Sequence, residues 1–91
     1  MDPEDSGQGP SWWVYLLLCA DGSYYVGSTT DLQRRVGEHQ AGRGARYTRG
    51  RRPLALVASV PCLSRGDAQR LESRLKSLRR KEKARLAQGQ G

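Results

Sequence analysis

One dense apolar run constrains the fold more than any other feature of this chain. Residues 12–19, Trp-Trp-Val-Tyr-Leu-Leu-Leu-Cys, form a run that is too short for a typical helix and therefore predicts a central β-strand. Asp21-Gly22 is a strong hairpin signal, so residues 23–27 should return antiparallel to it. Only 36% of the 91 residues are hydrophobic and none is Phe, so the core around this strand must be thin.

A helix and a third strand follow the predicted hairpin. Thr30 is a plausible N-cap with Gln33 at the capping-box spacing, and Leu32 and Val36 would face the core. A basic, glycine-punctuated connection occupies residues 41–52. Residues 54–60 predict the third strand, bounded by Pro53 and Pro61.

The last predicted element is one long helix. Ser64 can cap it, and Asp67 falls at its third helical position. An apolar stripe at spacings of three, four and three would face the sheet, and consists of Ala68, Leu71, Leu75 and Leu78. The order β-β-α-β-α predicts a small α/β (α+β) fold with a three-stranded antiparallel sheet flanked by helices.

The two ends of the chain differ from this predicted domain. Residues 1–11 are acidic and rich in turn formers, which predicts a disordered tail; residues 12–86 form the domain, and Gly89 marks a frayed end over 87–91. Neither a signal peptide nor a membrane span is evident. Cys19 and Cys62 have the spacing of neither a disulfide framework nor a zinc motif, and we expect buried thiols in a reducing cytoplasm.

Charge is distributed unevenly along the chain. Residues 1–33 have a net charge of −5, residues 34–52 of +6 and residues 53–91 of +6, which sum to the formal +7. Thirteen of the sixteen basic residues are Arg, whose planar guanidinium binds phosphate with two parallel hydrogen bonds. This composition favours a nucleic-acid partner, with a merely solvated basic surface as the alternative.

A small set of polar side chains could carry chemistry, and its members are Tyr15, Tyr25, Arg35, His39 and Glu72. An arginine can neutralise a scissile phosphate, a carboxylate can hold a divalent cation, and a tyrosine or histidine can take a proton from water. Each residue taken alone also has a structural explanation. The tyrosines could be packing residues, for example, and Glu72 with Lys76 could be a helical i,i+4 ion pair.

The order and spacing of these residues resemble those of the GIY-YIG nuclease superfamily. Val14-Tyr15 is followed by Tyr25-Val26-Gly27, then by Arg35-x-x-x-His39, and finally by Glu72. The stretches 25–39 and 44–54 are similar to a compact, stand-alone bacterial group within that superfamily. The resemblance extends over about residues 12–85.

The resemblance implies a role for each of these side chains. Tyr15 and Tyr25 would line the site, one of them as general base, and Arg35 would contact the phosphate. His39 would assist the proton transfer, and Glu72 would bind one Mg²⁺ or Mn²⁺. The sequence departs from the superfamily at Ser28, where excision-repair relatives carry a lysine, so that His39 or the metal would have to activate the tyrosine.

These observations lead to one leading function and two alternatives. We expect a divalent-metal-dependent endonuclease that hydrolyses phosphodiester bonds in DNA, in repair or structure-specific processing. A non-catalytic nucleic-acid-binding module with the same fold, or a basic accessory protein of an RNA assembly, are the alternatives. The residues expected to bind nucleic acid, DNA rather than RNA, are Arg34, Arg43, Arg46, Tyr47, Arg49, Arg51, Arg52 and Lys76.

Overall fold

The computed structural model describes the backbone of residues 11–90 and the side chains of residues 11–88. Its elements in chain order are β1 (Trp12–Leu18), β2 (Tyr24–Thr29), α1 (Leu32–Gln40), α2 (Arg46–Arg49), β3 (Ala55–Cys62), α3 (Arg65–Lys76) and α4 (Arg80–Gln90). The strands form one antiparallel sheet in the order β2-β1-β3. The predicted α+β class and three-stranded antiparallel sheet are therefore confirmed.

The central position of β1 follows from its composition. Its middle residues are buried on both faces of the sheet, because alternate side chains point to opposite sides. On one face, Val14 and Leu16 pack with Val26 against α3. On the other face, Tyr15 and Leu17 pack with Leu54 and the apolar side of α1. The sheet thus separates two thin cores. Of the polar motif residues, Tyr15 and His39 are buried, and Glu72 lies on α3.

The start of α1 differs from the prediction. Asp31, not Thr30, is the N-cap, and its carboxylate accepts a hydrogen bond from the backbone N–H of Arg34 at 3.1 Å. The Thr29 hydroxyl accepts one from the N–H of Asp31 at 3.0 Å, which fixes the turn that leads into the helix. A carboxylate cap at this position also suits the positive end of the helix dipole.

The third strand extends further than its prolines suggested. Pro61 does not end it but lies within β3, opposite Trp13. This is compatible with proline because β3 is an edge strand, on which the missing N–H need not serve a neighbouring strand.

The predicted long final helix is in fact two helices. Ser77 ends α3, and its hydroxyl donates to the carbonyl of Arg74 at 2.7 Å. Glu82 then accepts from the backbone N–H of Arg79 at 2.8 Å, which stabilises the start of α4. The break turns the chain back, so that Leu86 of α4 lines a small cavity with Leu71 and Leu75 of α3. The apolar stripe alone did not predict this turn. Helix α4 ends at Gln90, and the frayed end over residues 87–91 stays a prediction.

The remaining expectations concern the ends of the chain and its cysteines. Residues 1–10 of the predicted acidic tail lie outside the described residues. Cys19 and Cys62 are buried free thiols, as predicted. None of the helices within residues 11–90 combines the length and apolar character that a membrane span requires.

Candidate active site

Three buried side chains form a hydrogen-bonded chain beneath α1. The hydroxyl of Tyr15 lies 2.8 Å from Nε2 of His39, and Nδ1 of His39 lies 2.8 Å from Oγ1 of Thr48. The Thr48 hydroxyl donates to the carbonyl of Ala45 at 2.9 Å. Strand β1, helix α1 and helix α2 each contribute one of the three side chains, and each of the three is at most 1% exposed.

The single hydrogen of the Thr48 hydroxyl fixes the tautomer of His39. Because this hydrogen goes to the Ala45 carbonyl, Oγ1 of Thr48 can only accept from the imidazole, and Nδ1 of His39 must carry a proton. In the neutral ring Nε2 is then an acceptor, so Tyr15 donates to it. The arrangement leaves a histidine nitrogen ready to receive the phenol proton of Tyr15.

The pKa values of these two groups keep both of them neutral near pH 7. Burial lowers the pKa of His39 below its usual value of 6.5, and the nearby charge of Arg35 lowers it further. Burial raises the pKa of Tyr15 to about 12, although hydrogen bonding to Arg35 acts in the opposite direction. Tyr15 therefore carries its proton unless that proton moves to His39.

Tyr25 completes an aromatic cluster around His39. Its ring centroid lies 5.2 Å from that of His39, 6.4 Å from that of Tyr15 and 6.0 Å from that of Tyr47. Tyr25 pairs with Leu17 in the sheet and is thus the diagonal neighbour of Tyr15. The two motif tyrosines lie together because of this register.

Two glycines allow the cluster to pack this closely. Gly27 lies directly across from Tyr15 in the sheet, and a Cβ there would overlap the Tyr15 phenol. A Cβ at Gly44 would overlap the His39 imidazole. Any larger residue at either position would displace a ring of the hydrogen-bonded chain.

Arg35 lies beside this chain at the border of solvent. Nη1 of its guanidinium is 2.9 Å from Oε1 of Glu38, and both side chains are about one third exposed. Glu38 raises the pKa of Arg35, and Arg35 holds the pKa of the Glu38 carboxyl below its usual range. The guanidinium is thus fixed near Tyr15 by a partner that solvent, or an incoming anion, can reach.

Glu72 lies on the other side of β2, on α3. Its Oε1 accepts from the Ser28 hydroxyl at 2.7 Å, and its Oε2 lies 2.9 Å from Nζ of Lys76. Burial acts to raise the pKa of Glu72, but the hydrogen bonds from Lys76 and Ser28 outweigh it, so the pKa lies below its usual value. The carboxylate is ionised at neutral pH, and its charge is close enough to raise the pKa of Tyr15.

Comparison with known proteins identifies the family. The family described as the GIY-YIG catalytic domain matches residues 11–85. The chain belongs to the GIY-YIG family. It is therefore part of a nuclease superfamily, and the resemblance seen in its motifs is confirmed.

Individual GIY-YIG relatives agree with this assignment. A UPF0213 protein of Halobacterium salinarum is 52% identical over 73 residues, which make up 80% of this chain and 95% of the relative. One of Nitratidesulfovibrio vulgaris is 55% identical over 65 residues, 71% of this chain but only 59% of that relative. The solution NMR structure of the UPF0213 protein BH0048 from Bacillus halodurans is 47% identical with a TM-score of 0.54, and the match covers 85% of this chain and 82% of that one.

The donor atoms around Glu72 fit a divalent ion that shares its ligands with substrate. GIY-YIG nucleases generally use divalent metal ions. No group of three or more His, Cys, Asp or Glu side chains within the described residues could form a metal cage. Mg²⁺, however, often binds through one carboxylate, several waters and substrate phosphate oxygens. Glu72, with the Ser28 hydroxyl beside it, is a donor set of that kind.

Apart from Lys76, which is paired with Glu72, the residues expected to bind nucleic acid fall into two groups. Arg51 and Arg52 are held by protein groups: Arg51 by Asp21 at 3.0 Å and by the carbonyl of Tyr47, and Arg52 by the carbonyls of Arg49 and Gln40. Arg51 also stacks on Tyr47, 3.9 Å from the ring centroid. The others, apart from Lys76, have exposed side chains around α1 and α2, and are Arg34, Arg43, Arg46, Tyr47 and Arg49.

Sequence reasoning missed Thr48, which fixes the His39 tautomer. No periodicity marks it, because it lies in the glycine-rich connection that was expected to lack regular structure. The only available signal was its position nine residues after His39, within the stretch that resembles the family. The one-turn helix α2 brings it back to the ring.

Proposed function

We propose that this protein is a divalent-metal-dependent endonuclease that hydrolyses phosphodiester bonds in DNA. The observation that carries the proposal is the proton path from Tyr15 to His39, with a tautomer set by Thr48. A buried tyrosine hydroxyl needs some hydrogen-bond partner in any fold, but that partner does not have to be a group that can take its proton. Here the acceptor is buried, neutral and adjacent to the cation that a phosphate would meet.

The proposed chemistry uses this chain's groups as follows. A water that attacks phosphorus gives a proton to the Tyr15 oxygen while the phenol proton passes to Nε2 of His39. Nδ1 of His39 keeps its proton and its hydrogen bond to Oγ1 of Thr48, so the imidazolium that forms remains in place. In a buried site this preset geometry avoids the reorganisation that water would require.

Arg35 and Glu72 act on the phosphate group itself. Arg35 would exchange its partly exposed Glu38 partner for a phosphate oxygen and neutralise the charge that develops there. Glu72, with Ser28, would hold the divalent ion, which when bound stabilises the leaving oxygen. Lys76 must release Oε2 of Glu72 for this to occur, and it then remains as a cation beside the phosphate backbone.

A non-catalytic nucleic-acid-binding module is the second candidate, and the Glu72–Lys76 ion pair favours it. An i,i+4 ion pair of this kind gives Glu72 a helical role that needs no metal. This candidate retains the basic surface and predicts salt-sensitive binding without strand cleavage.

One assay separates the two candidates. The protein is incubated with single-stranded, duplex, flapped and branched DNA and with RNA, in Mg²⁺, Mn²⁺ or chelator. We expect cleavage that requires metal and falls about 10²–10³-fold in Glu72→Ala and in Arg35→Ala. Arg74→Ala, which removes an exposed charge from the same helix as Glu72, is the control and should cleave like the parent. Circular dichroism melting verifies that each variant is folded.

The other possible results are equally informative. Cleavage that persists in both Glu72→Ala and Arg35→Ala would show that the site is misassigned. Binding without metal-dependent cleavage of any of the substrates would establish the non-catalytic module instead.

A further inference from the structure

A basic groove lies at the hairpin end of β2, beyond the candidate active site. It has a volume of about 200 Å³ and is lined by Ser23, Tyr24, Tyr47, Arg80 and Lys83. We call it the hairpin groove. Strand β2 supplies one wall, α2 supplies Tyr47, and the start of α4 supplies the two cations. The break between α3 and α4 is what brings these cations to the hairpin.

The hairpin groove continues a row of charged groups that begins at Glu72. Glu72 is hydrogen-bonded to Ser28, near the far end of β2, and Lys76 follows one helical turn later, with its Nζ 2.9 Å from Oε2 of Glu72. The Arg80 guanidinium then lies against the hairpin turn at Gly22. From Ser28 to Ser23 the chain covers about 17 Å, which equals the axial rise of about five nucleotides in one B-form strand.

No carboxylate of the described residues neutralises the two cations of the groove. Within the described residues, no carboxylate lies within 4.0 Å of the charged nitrogens of Arg80 or Lys83. The nearest turn carboxylate, Asp21, is already paired with Arg51 at 3.0 Å. Two adjacent cations in a groove that also presents hydroxyl groups favour an anion with several acceptor oxygens, such as a phosphodiester.

We propose that the hairpin groove is a second phosphate-binding subsite, which holds the nucleic-acid backbone several nucleotides to one side of the scissile phosphate. Only the position of that scissile phosphate rests on the proposed function. Arg80 and Lys83 contact backbone phosphates, and the substrate strand runs along the exposed edge of β2 from Glu72 towards the hairpin. Within residues 11–90, β1 is the only strand paired with β2, so the other edge of β2 presents unpaired backbone groups to such a ligand.

A matched pair of double variants tests this subsite. Arg80→Gln with Lys83→Gln removes the two cations of the groove. Lys81→Gln with Arg85→Gln removes two exposed cations from the other side of the same helix, with the same change in net charge. Melting curves establish that both proteins fold.

Binding is measured by fluorescence anisotropy of a labelled 20-nucleotide strand in chelator, so that no cleavage is needed. In about 0.1 M salt we expect the groove variant to bind roughly tenfold more weakly than the parent. Its plot of log K against log salt should be shallower by about 1.4, because two phosphate contacts to a single strand are lost. The Lys81/Arg85 variant should lie much closer to the parent in both quantities.

Cleavage then separates this inference from the proposed function. If the enzyme cuts DNA, the groove variant should have a higher KM and an unchanged kcat, because the groove is remote from the reacting phosphate. Equal loss of binding in the two double variants would overturn the subsite, even if cleavage is observed. A selective loss in the groove variant, with no cleavage by the parent, would retain the subsite and refute the nuclease.

Discussion

At the scale of single residues, His39 is the point on which the candidate site depends. It is the only histidine in the chain, and its two nitrogens bind groups with fixed and opposite roles. Arg35 and His39 share one side of α1, so the imidazole is held neutral partly by the cation that would meet a phosphate. The residue proposed to accept the proton and the residue proposed to meet the anion are therefore electrostatically coupled.

The depressed pKa of His39 predicts that the free energy of unfolding decreases as the solution is made more acidic. Between pH 6.5 and the lower pKa of folded His39, the unfolded chain binds a proton that the folded chain does not, so acidification over this window favours unfolding. The melting temperature should drop as pH falls from about 7 to about 5. Carboxylates such as Glu72, with a lowered pKa, lose their contribution only in more acidic solution.

His39→Gln provides the control for that measurement. Glutamine lacks the titrating group, so this variant should show a flat melting temperature across the same window, whatever its absolute stability. An NMR titration of the single imidazole should place its pKa below 6.5. An imidazole that titrates at or above that value would contradict the prediction.

The motif residues could be predicted from sequence, whereas the groups that orient them could not. Tyr15, Tyr25 and the pair Arg35 and His39 were recognisable from their spacing, and alternation in the strands placed the tyrosines near each other. Thr48 could not be identified from the sequence, because its hydrogen bond to His39 depends on the orientation of its hydroxyl in a one-turn helix. Similarly, Ser28 was noted only as a departure from relatives, although it binds Glu72.

At the scale of elements, the hydrophobic pattern predicted which residues of the last helix pack against the sheet, but not where that helix ends. The stripe from Ala68 to Leu75 does face the sheet, with Ala68 fully buried. The turn at Ser77 depends instead on hydrogen bonds from Ser77 and to Glu82, which a period of 3.6 residues does not encode. Likewise, whether the third strand ends at Pro61 or continues through it depends on whether that strand lies at the edge of the sheet, because only an edge strand readily accommodates an internal proline.

The packing of α3 predicts a measurable cost for shortening its stripe. Leu71→Ala should lower the free energy of unfolding by about 2 kcal/mol, at the low end for core leucines, because Leu71 is only partly buried. Leu63→Ala is the control, since Leu63 is 71% exposed just ahead of the same helix, and it should leave stability nearly unchanged. Urea unfolding of both variants gives the comparison. Equal stability of the two would mean that α3 is misplaced on the sheet.

At the scale of the whole molecule, the arginines that contribute to the +7 charge lie in two different environments. Some arginines tie loops together, as Arg51 joins α2 to the β1–β2 turn through Asp21. Others extend into solvent around the site with no such task. The sequence alone did not separate these two kinds of arginine. Composition does not distinguish a guanidinium that is hydrogen-bonded to the protein from one that is available to a partner.

Two pairs of arginines with equal charge should therefore behave differently. Arg46→Gln with Arg49→Gln removes exposed cations next to Tyr47, so nucleic-acid affinity should fall roughly tenfold while the melting temperature stays near that of the parent. Arg51→Gln with Arg52→Gln removes the hydrogen bonds that hold the loop, so the melting temperature should fall by several degrees. Anisotropy and melting curves on both proteins give the comparison. If both double variants lost affinity with no change in melting temperature, Arg51 and Arg52 would bind nucleic acid rather than stabilise the loop that contains Thr48.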